Sequence, residues 1–208
     1  YRKTDSPAYY SHATSGTMNA VNVTLDHTFI SLDRVDMKDQ SIILDMWTYV
    51  MWQDVRLAWN STCYPEADHW MGPKAALFSG SAEDTIWVPS LYVENMKSPP
   101  RTLKGGWALA PDGTVEWSRK QLWTLSCSMD FSHMPFDEQT CEIRLSTWIH
   151  LASEVKLLAD TDSGFTEAAE AFRVGGTTEW HFEPSRRVRI REEVGLYPYL
   201  DIYFKMKR

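Results

Sequence analysis

Histidines, cysteines and aromatic rings are the side chains with the most chemical reach in this chain of 208 residues. The six histidines, at positions 12, 27, 69, 133, 150 and 181, show no H-x-H or H-E-x-x-H spacing, and the cysteines form no C-x-x-C, so no metal-ligand pattern is present. No G-x-S-x-G elbow or phosphate-cradling glycine loop occurs either. The expectation is a protein that is not an enzyme and carries no metal or other cofactor. Cys127 and Cys141 enclose thirteen residues. A bridge between them would close a loop of about 15 residues, worth ~3 kcal/mol of chain entropy. Cys63 would then be left over, as a free or buried thiol or an intermolecular link. Ten tryptophans, nine tyrosines and eight phenylalanines supply core material and ring faces. Such faces attract cations by ~0.5–2 kcal/mol per ring. A formal charge of −7 fits the attraction of cations and argues against nucleic acid.

The elements that must position these groups read as strands. Residues 1 to 20 are polar and lack a helical period, so an extended or poorly ordered start is expected. From Val21 the period becomes two: Val21, Val23 and Leu25 alternate with Asn22, Thr24 and Asp26. In the next strand Ile42, Leu44, Met46, Val50 and Trp52 share one face, and Ile43, Asp45, Trp47, Tyr49 and Met51 share the other. Aromatics on that second face imply a partner surface rather than open water. Ala110 to Thr114 is a turn between strands, and Arg186 to Arg208 reads as two strands joined around Glu193 to Pro198. The fold class is therefore all-β, an immunoglobulin-like β-sandwich of about ten strands, with one domain over residues 21–208. No stretch reaches the ~18 apolar residues of a membrane span. No signal-peptide pattern opens the chain, which reads as mature or trimmed. Two sequons, at Asn22 and Asn60, together with a plausible disulfide favour an extracellular protein.

Met134-Pro135-Phe136-Asp137 between Cys127 and Cys141 resembles the signature loop of the Cys-loop receptor superfamily, nearer its nicotinic branch. Trp47, Trp52, Asp54, Leu57 and Trp59 match that family's W-x4-W-x-D-x-x-L-x-W strand. Trp87-Val88-Pro89 resembles its W-x-P-D segment with Ser90 in place of Asp, and Glu179-Trp180 and Tyr199-Leu200-Asp201-Ile202 resemble later segments. The match runs over about residues 21 to 208. It implies a Cys127–Cys141 disulfide and an extracellular domain assembled as a ring of five, homomeric or heteromeric. The membrane would be reached only through a pore domain absent from this chain. The chain stops where channel subunits enter their first membrane helix, so it resembles either an excised channel domain or a soluble homologue of the acetylcholine-binding proteins.

The resemblance also implies a ligand site between neighbouring subunits, an aromatic cage for a small organic cation or amine. The principal face would hold Trp148, Tyr92, Tyr197 and Tyr199. Glu94 occupies the place of the family's first-loop tyrosine. The complementary face would hold Trp47 and Tyr49, with Glu116 and Ser118 where the family has apolar or variable residues. The loop from Arg191 to Tyr199 lacks a vicinal cysteine pair, unlike acetylcholine-type α subunits. Glu94, Glu116 and Glu192 make either a more polar, cation-seeking site or the solvated surface of a degenerate one. The competing function is a non-binding structural subunit.

Overall fold

The computed structural model describes residues 1–60, 75–160, 166–167, 179–194 and 197–208, with the backbone alone for residues 12, 166–167 and 182–194. Cys63, the side chain of Glu192 and the Glu193–Pro198 connection at residues 195–196 lie outside that description.

The start of the chain departs from the sequence expectation. Residues Pro7–Ser15 form a helix, α1, rather than an extended or poorly ordered segment. The physical cause is local. The Ser6 hydroxyl accepts from the Ala8 N–H at 3.2 Å, and Pro7, which has no N–H to lose, takes the first helical position. Ser11 and Thr14 hydroxyls bond back to the carbonyls of Ala8 and Tyr10. Among the described side chains of this segment only Ser6, Pro7 and Ala8 are buried, so α1 shows no apolar stripe for periodicity to detect.

Eleven strands are formed among the described residues: β1 (Val21–Asp36), β2 (Ser41–Gln53), β3 (Ala76–Ser79), β4 (Leu91–Val93), β5 (Arg101–Leu109), β6 (Thr114–Ser126), β7 (Glu138–Thr147), β8 (Val155–Ala159), β9 (Thr166–Glu167), β10 (His181–Val194) and β11 (Tyr197–Lys207). One sheet runs β3-β5-β6-β2-β1-β8, with β9 also on β1, and the other runs β10-β11-β7-β4. This is the β-sandwich that the alternation predicts. In β2, Ile42, Leu44, Met46, Val50 and Trp52 are buried, while Ile43, Trp47, Tyr49 and Met51 on the other face are half-buried. Leu25, Leu44, Met46 and Leu125 of the first sheet join Ile143, Leu200, Ile202 and Phe204 of the second in one buried cluster. Each such side chain contributes ~1.5–3 kcal/mol.

Polar pins hold the ends of the sandwich. Arg56 forks onto Asp54, with Nε and Nη2 at 2.7 and 2.6 Å from its two oxygens. In the Ala110–Thr114 turn Gly113 takes a φ of +86°, and a Cβ there would lie 2.4 Å from the Asp54 carbonyl oxygen. Cys127 and Cys141 form the disulfide, with 5.3 Å between their Cα atoms. In the loop they close, Met134 and Phe136 are exposed whereas Phe131 packs partly on the core. Asp137 turns inward and accepts from Gln139 Nε2 at 2.8 Å.

Candidate functional site

Strand β7 organises the principal-face residues. Its Ser146 is the register partner of Tyr92 in β4 and of Tyr199 in β11, so the two tyrosines flank one serine across three strands. Ser146 itself is buried and donates to the Pro198 carbonyl at 2.9 Å. Trp148 follows the end of β7. Its N–H donates to the Ser90 carbonyl at 2.8 Å, and the Ile149 N–H donates to the Ser90 hydroxyl at 3.2 Å. Ser90, the residue that replaces the family's Asp, therefore holds the Trp148 backbone. The indole is 71% exposed and stands edge-on to Tyr92, with ring centroids 5.7 Å apart and planes at 89°. Trp148 is thus not a core tryptophan. Tyr197, two strand positions before Tyr199, is exposed.

The Tyr92 hydroxyl is held above the ordinary phenol range, first by burial, with Tyr199 and Glu94 adding and a Ser146 hydrogen bond opposing. Glu94 is exposed and stands 4.0 Å from Arg144 Nη1, while Arg144 also pairs closely with Glu142. At 4.0 Å between two exposed side chains, the Glu94 contact is a weak, solvent-screened one, and Arg144 leans on Glu142 instead.

The complementary-face residues gather on the outer side of the first sheet. Trp47 and Tyr49 stack along β2, centroids 6.3 Å apart and planes at 21°. Ser118 of β6 is the register partner of Tyr49, and Glu116 that of Met51. Trp47, Glu116 and Ser118 line one groove of about 620 Å³, completed by Leu77 and Phe78 of β3 and by Gly105 and Gly106 of β5. Glu116 is not a solvated surface residue: it is 6% exposed. Burial pushes its carboxyl up to about 7, with Asp160 and Asp26 adding. Asp26 is raised too, first by burial, and Tyr49 is raised by burial and then by Glu116 and Asp26. The sequence reading missed Asp26 and Asp160. Asp26 stands opposite Tyr49 in the β1–β2 register, and the Asp160 N–H bonds to the Leu25 carbonyl just beyond β8. It also missed Arg144, which stands beside Glu94. Nothing local marks these residues, because each joins the site through strand pairing.

Within one chain the two sets lie on different sheets: Trp148, Tyr92 and Tyr199 around β7, and Trp47 and Tyr49 on β2. Of the two expected glycosylation acceptors, Asn22 and Asn60, both side chains are exposed.

A family model described as the neurotransmitter-gated ion-channel ligand binding domain matches residues 1–208. The chain is 30% identical over 176 residues to the acetylcholine receptor subunit alpha-type acr-7 of Caenorhabditis elegans, covering 81% of this chain and 31% of that protein. It is 25% identical to the acetylcholine receptor subunit gamma of Gallus gallus, covering 81% of this chain and 32% of the relative. It is 26% identical to the gamma-aminobutyric acid receptor subunit rho-2 of Bos taurus, covering 91% of this chain and 40% of the relative. The chain thus spans about a third of the length of the receptor subunits it matches.

Proposed function

Because this chain belongs to the neurotransmitter-gated ion-channel ligand-binding domain family, we propose that it is the extracellular ligand-recognition domain of a nicotinic-like pentameric receptor or of a soluble homologue. The ligand is a small organic cation or amine held between adjacent subunits. Trp148, Tyr92, Tyr197 and Tyr199 come from one subunit, and Trp47, Tyr49, Glu116 and Ser118 from the next. The observation that carries this reading is the exposed Trp148 indole fixed edge-on against Tyr92. The indole, 71% exposed, stands with the exposed Ile149 and Tyr197 as apolar surface that a neighbouring subunit or a ligand would cover. The Trp47–Tyr49 stack offers matching rings on the other sheet. Rings of one copy facing rings of the next, repeated head to tail, close into a ring of subunits.

Among the charged candidates Glu116 has the stronger claim to meet the cation. It lines the groove beside Trp47, whereas Glu94 is already paired with Arg144. Closure of the β10–β11 hairpin over the ligand would shift the population toward a capped state. The chain spans about a third of the length of these receptor subunits, and the reading covers ligand recognition alone.

The pairing of Glu94 with Arg144 and the absence of vicinal cysteines before Tyr199 favour a second reading, a subunit that assembles without binding an amine. Titration with acetylcholine, nicotine, serotonin and choline, followed by tryptophan quenching after light-scattering sizing, separates the two. Saturable quenching that is weakened or lost in Trp148→Ala supports the cage. A clean pentamer with no response to any of the four supports the scaffold subunit.

A further inference from the structure

A second cavity lies behind the strand that carries Trp47 and Tyr49. Its volume is about 370 Å³, within the ~300–1,000 Å³ of small-molecule sites. Thr48, Arg119 and Trp123 of one sheet and Leu91, Val93 and Leu145 of the other line it. Strand alternation explains the polar pair. Thr48 sits between Trp47 and Tyr49, and Arg119 between Ser118 and Lys120, so both point away from the outer aromatic groove and into the sandwich. Thr48 and Arg119 are direct register partners across β2 and β6, and Gly105 opposes Arg119 from β5.

Two polar groups in this cavity lack an internal acceptor or donor among the described residues. Thr48 is 2% exposed and its hydroxyl has no hydrogen-bond partner there. The Arg119 guanidinium lies 3.6 Å over the Trp117 ring, and its Nε is sealed from water without an acceptor. Burial lowers the Arg119 pKa to about 10, with Glu83 pulling the other way, so the group stays charged at neutral pH. Two other polar neighbours are occupied. Gln121 donates to Thr102 and accepts from the Trp123 indole, and Lys97 pairs with Asp39. Arg119 is half-buried as a whole, and an anion would satisfy the buried Nε that no described residue meets.

We propose that this cavity binds a small organic monocarboxylate, its carboxylate on the Arg119 guanidinium and the Thr48 hydroxyl and its apolar chain against Leu91, Val93 and Leu145. The guanidinium fork matches a carboxylate in shape as well as charge. The apolar walls favour a ligand with a hydrocarbon body over a bare inorganic anion. The site lies within a single chain, so it stands apart from the subunit-interface reading. Tyr92 also lines the cavity, which places an occupant directly behind the principal-face rings.

Calorimetric titration of this chain with hexanoate tests the proposal, with hexan-1-ol as the neutral match and sodium chloride as the inorganic anion. The expected result is saturable 1:1 binding of hexanoate, with hexan-1-ol weaker by ~tenfold or more, the worth of one charge-assisted hydrogen bond. Arg119→Gln should lose hexanoate by a similar factor, Arg119→Lys should retain part of it, and Thr48→Val should weaken it while keeping the shape of the side chain. Thr48→Val keeps the test decisive if Arg119→Gln does not fold. No binding of hexanoate, equal binding of hexan-1-ol, wild-type affinity in Arg119→Gln or Thr48→Val, or displacement by millimolar chloride would each overturn the proposal.

Discussion

The Nδ1 of His150 stands 3.2 Å from Oε2 of Glu154, four residues further along the chain. The other carboxylate oxygen of Glu154 accepts the hydroxyl of Tyr9 in α1. His150 and Glu154 are both buried, and the His150 ring packs at 5.3 Å on Trp87. His150 lies two residues past Trp148, so the N-terminal helix and the Trp148 segment share one buried carboxylate. Glu154→Ala strips both partners of their acceptor. Unfolding free energy should fall by ~1–3 kcal/mol, read as a Tm lower by ~2–4 °C per kcal/mol in a domain of this size. Tyr9→Phe should lower Tm by less, because it removes only the helix's tether, made by an exposed hydroxyl. An unchanged Tm in Glu154→Ala would show that the shared carboxylate holds nothing.

Glu116 sets a pH dependence. Its folded carboxyl titrates near 7 against an ordinary value of 4.5. Between those values the folded state holds a proton that the unfolded state has released, so stability declines as pH rises through this window and levels off above it. Glu116→Gln removes the buried charge and should raise Tm at pH 8 while leaving it nearly unchanged at pH 5. A cation that pairs with the ionised carboxylate should bind more weakly as pH falls below about 7. That slope should vanish in Glu116→Gln. Parallel Tm–pH curves for the two proteins would exclude Glu116 as the titrating group.

The two faces of β2 were legible because period two encodes them directly: alternate residues of one strand report which side is buried. Trp148 and Ser90 stood out only through the family resemblance of their short segments, not through period or spacing. α1 was hidden for the opposite reason. A nine-residue helix that rests on Ala8 shows no apolar stripe, although Ser6 followed by Pro7 is a start signal in its own right. The neighbours of Glu116 and Glu94 were beyond reach of the sequence. Asp26 meets Tyr49 through the β1–β2 register, and Arg144 meets Glu94 across the β4–β7 pairing. A shift of one residue in either register would turn those side chains to the other face. The charge environment of a sheet surface is therefore set by long-range pairing that local patterning does not carry.

Asp54 should be among the costliest polar positions to change. Its carboxylate is fully buried, takes both arms of Arg56 and also accepts the Tyr1 hydroxyl at 3.2 Å. The guanidinium in turn covers the Tyr1 ring at 4.7 Å. Asp54→Ala leaves Arg56 without its counter-ion, a loss of ~3–5 kcal/mol for a buried pair broken from one side. Urea unfolding with an unchanged m-value and a lower midpoint is the expected signature. A midpoint within error of the parent would mean that solvent replaces the pair.

Trp148 and Trp52 make a matched contrast between binding and stability. Trp52 is 2% exposed and packs edge-on against Trp87 at 6.1 Å, so Trp52→Ala should cost ~3–5 kcal/mol of stability. Trp148 is 71% exposed, and its replacement removes little burial. Trp148→Ala should leave the unfolding free energy within ~0.5 kcal/mol of the parent. If the indole meets a cation, the same change should weaken amine binding by ~0.5–2 kcal/mol, a factor of roughly 2 to 30. Parallel denaturation and amine titration of both variants separate the roles. A Trp148→Ala protein as unstable as Trp52→Ala would make Trp148 a packing residue and remove the central ring from the proposed cage.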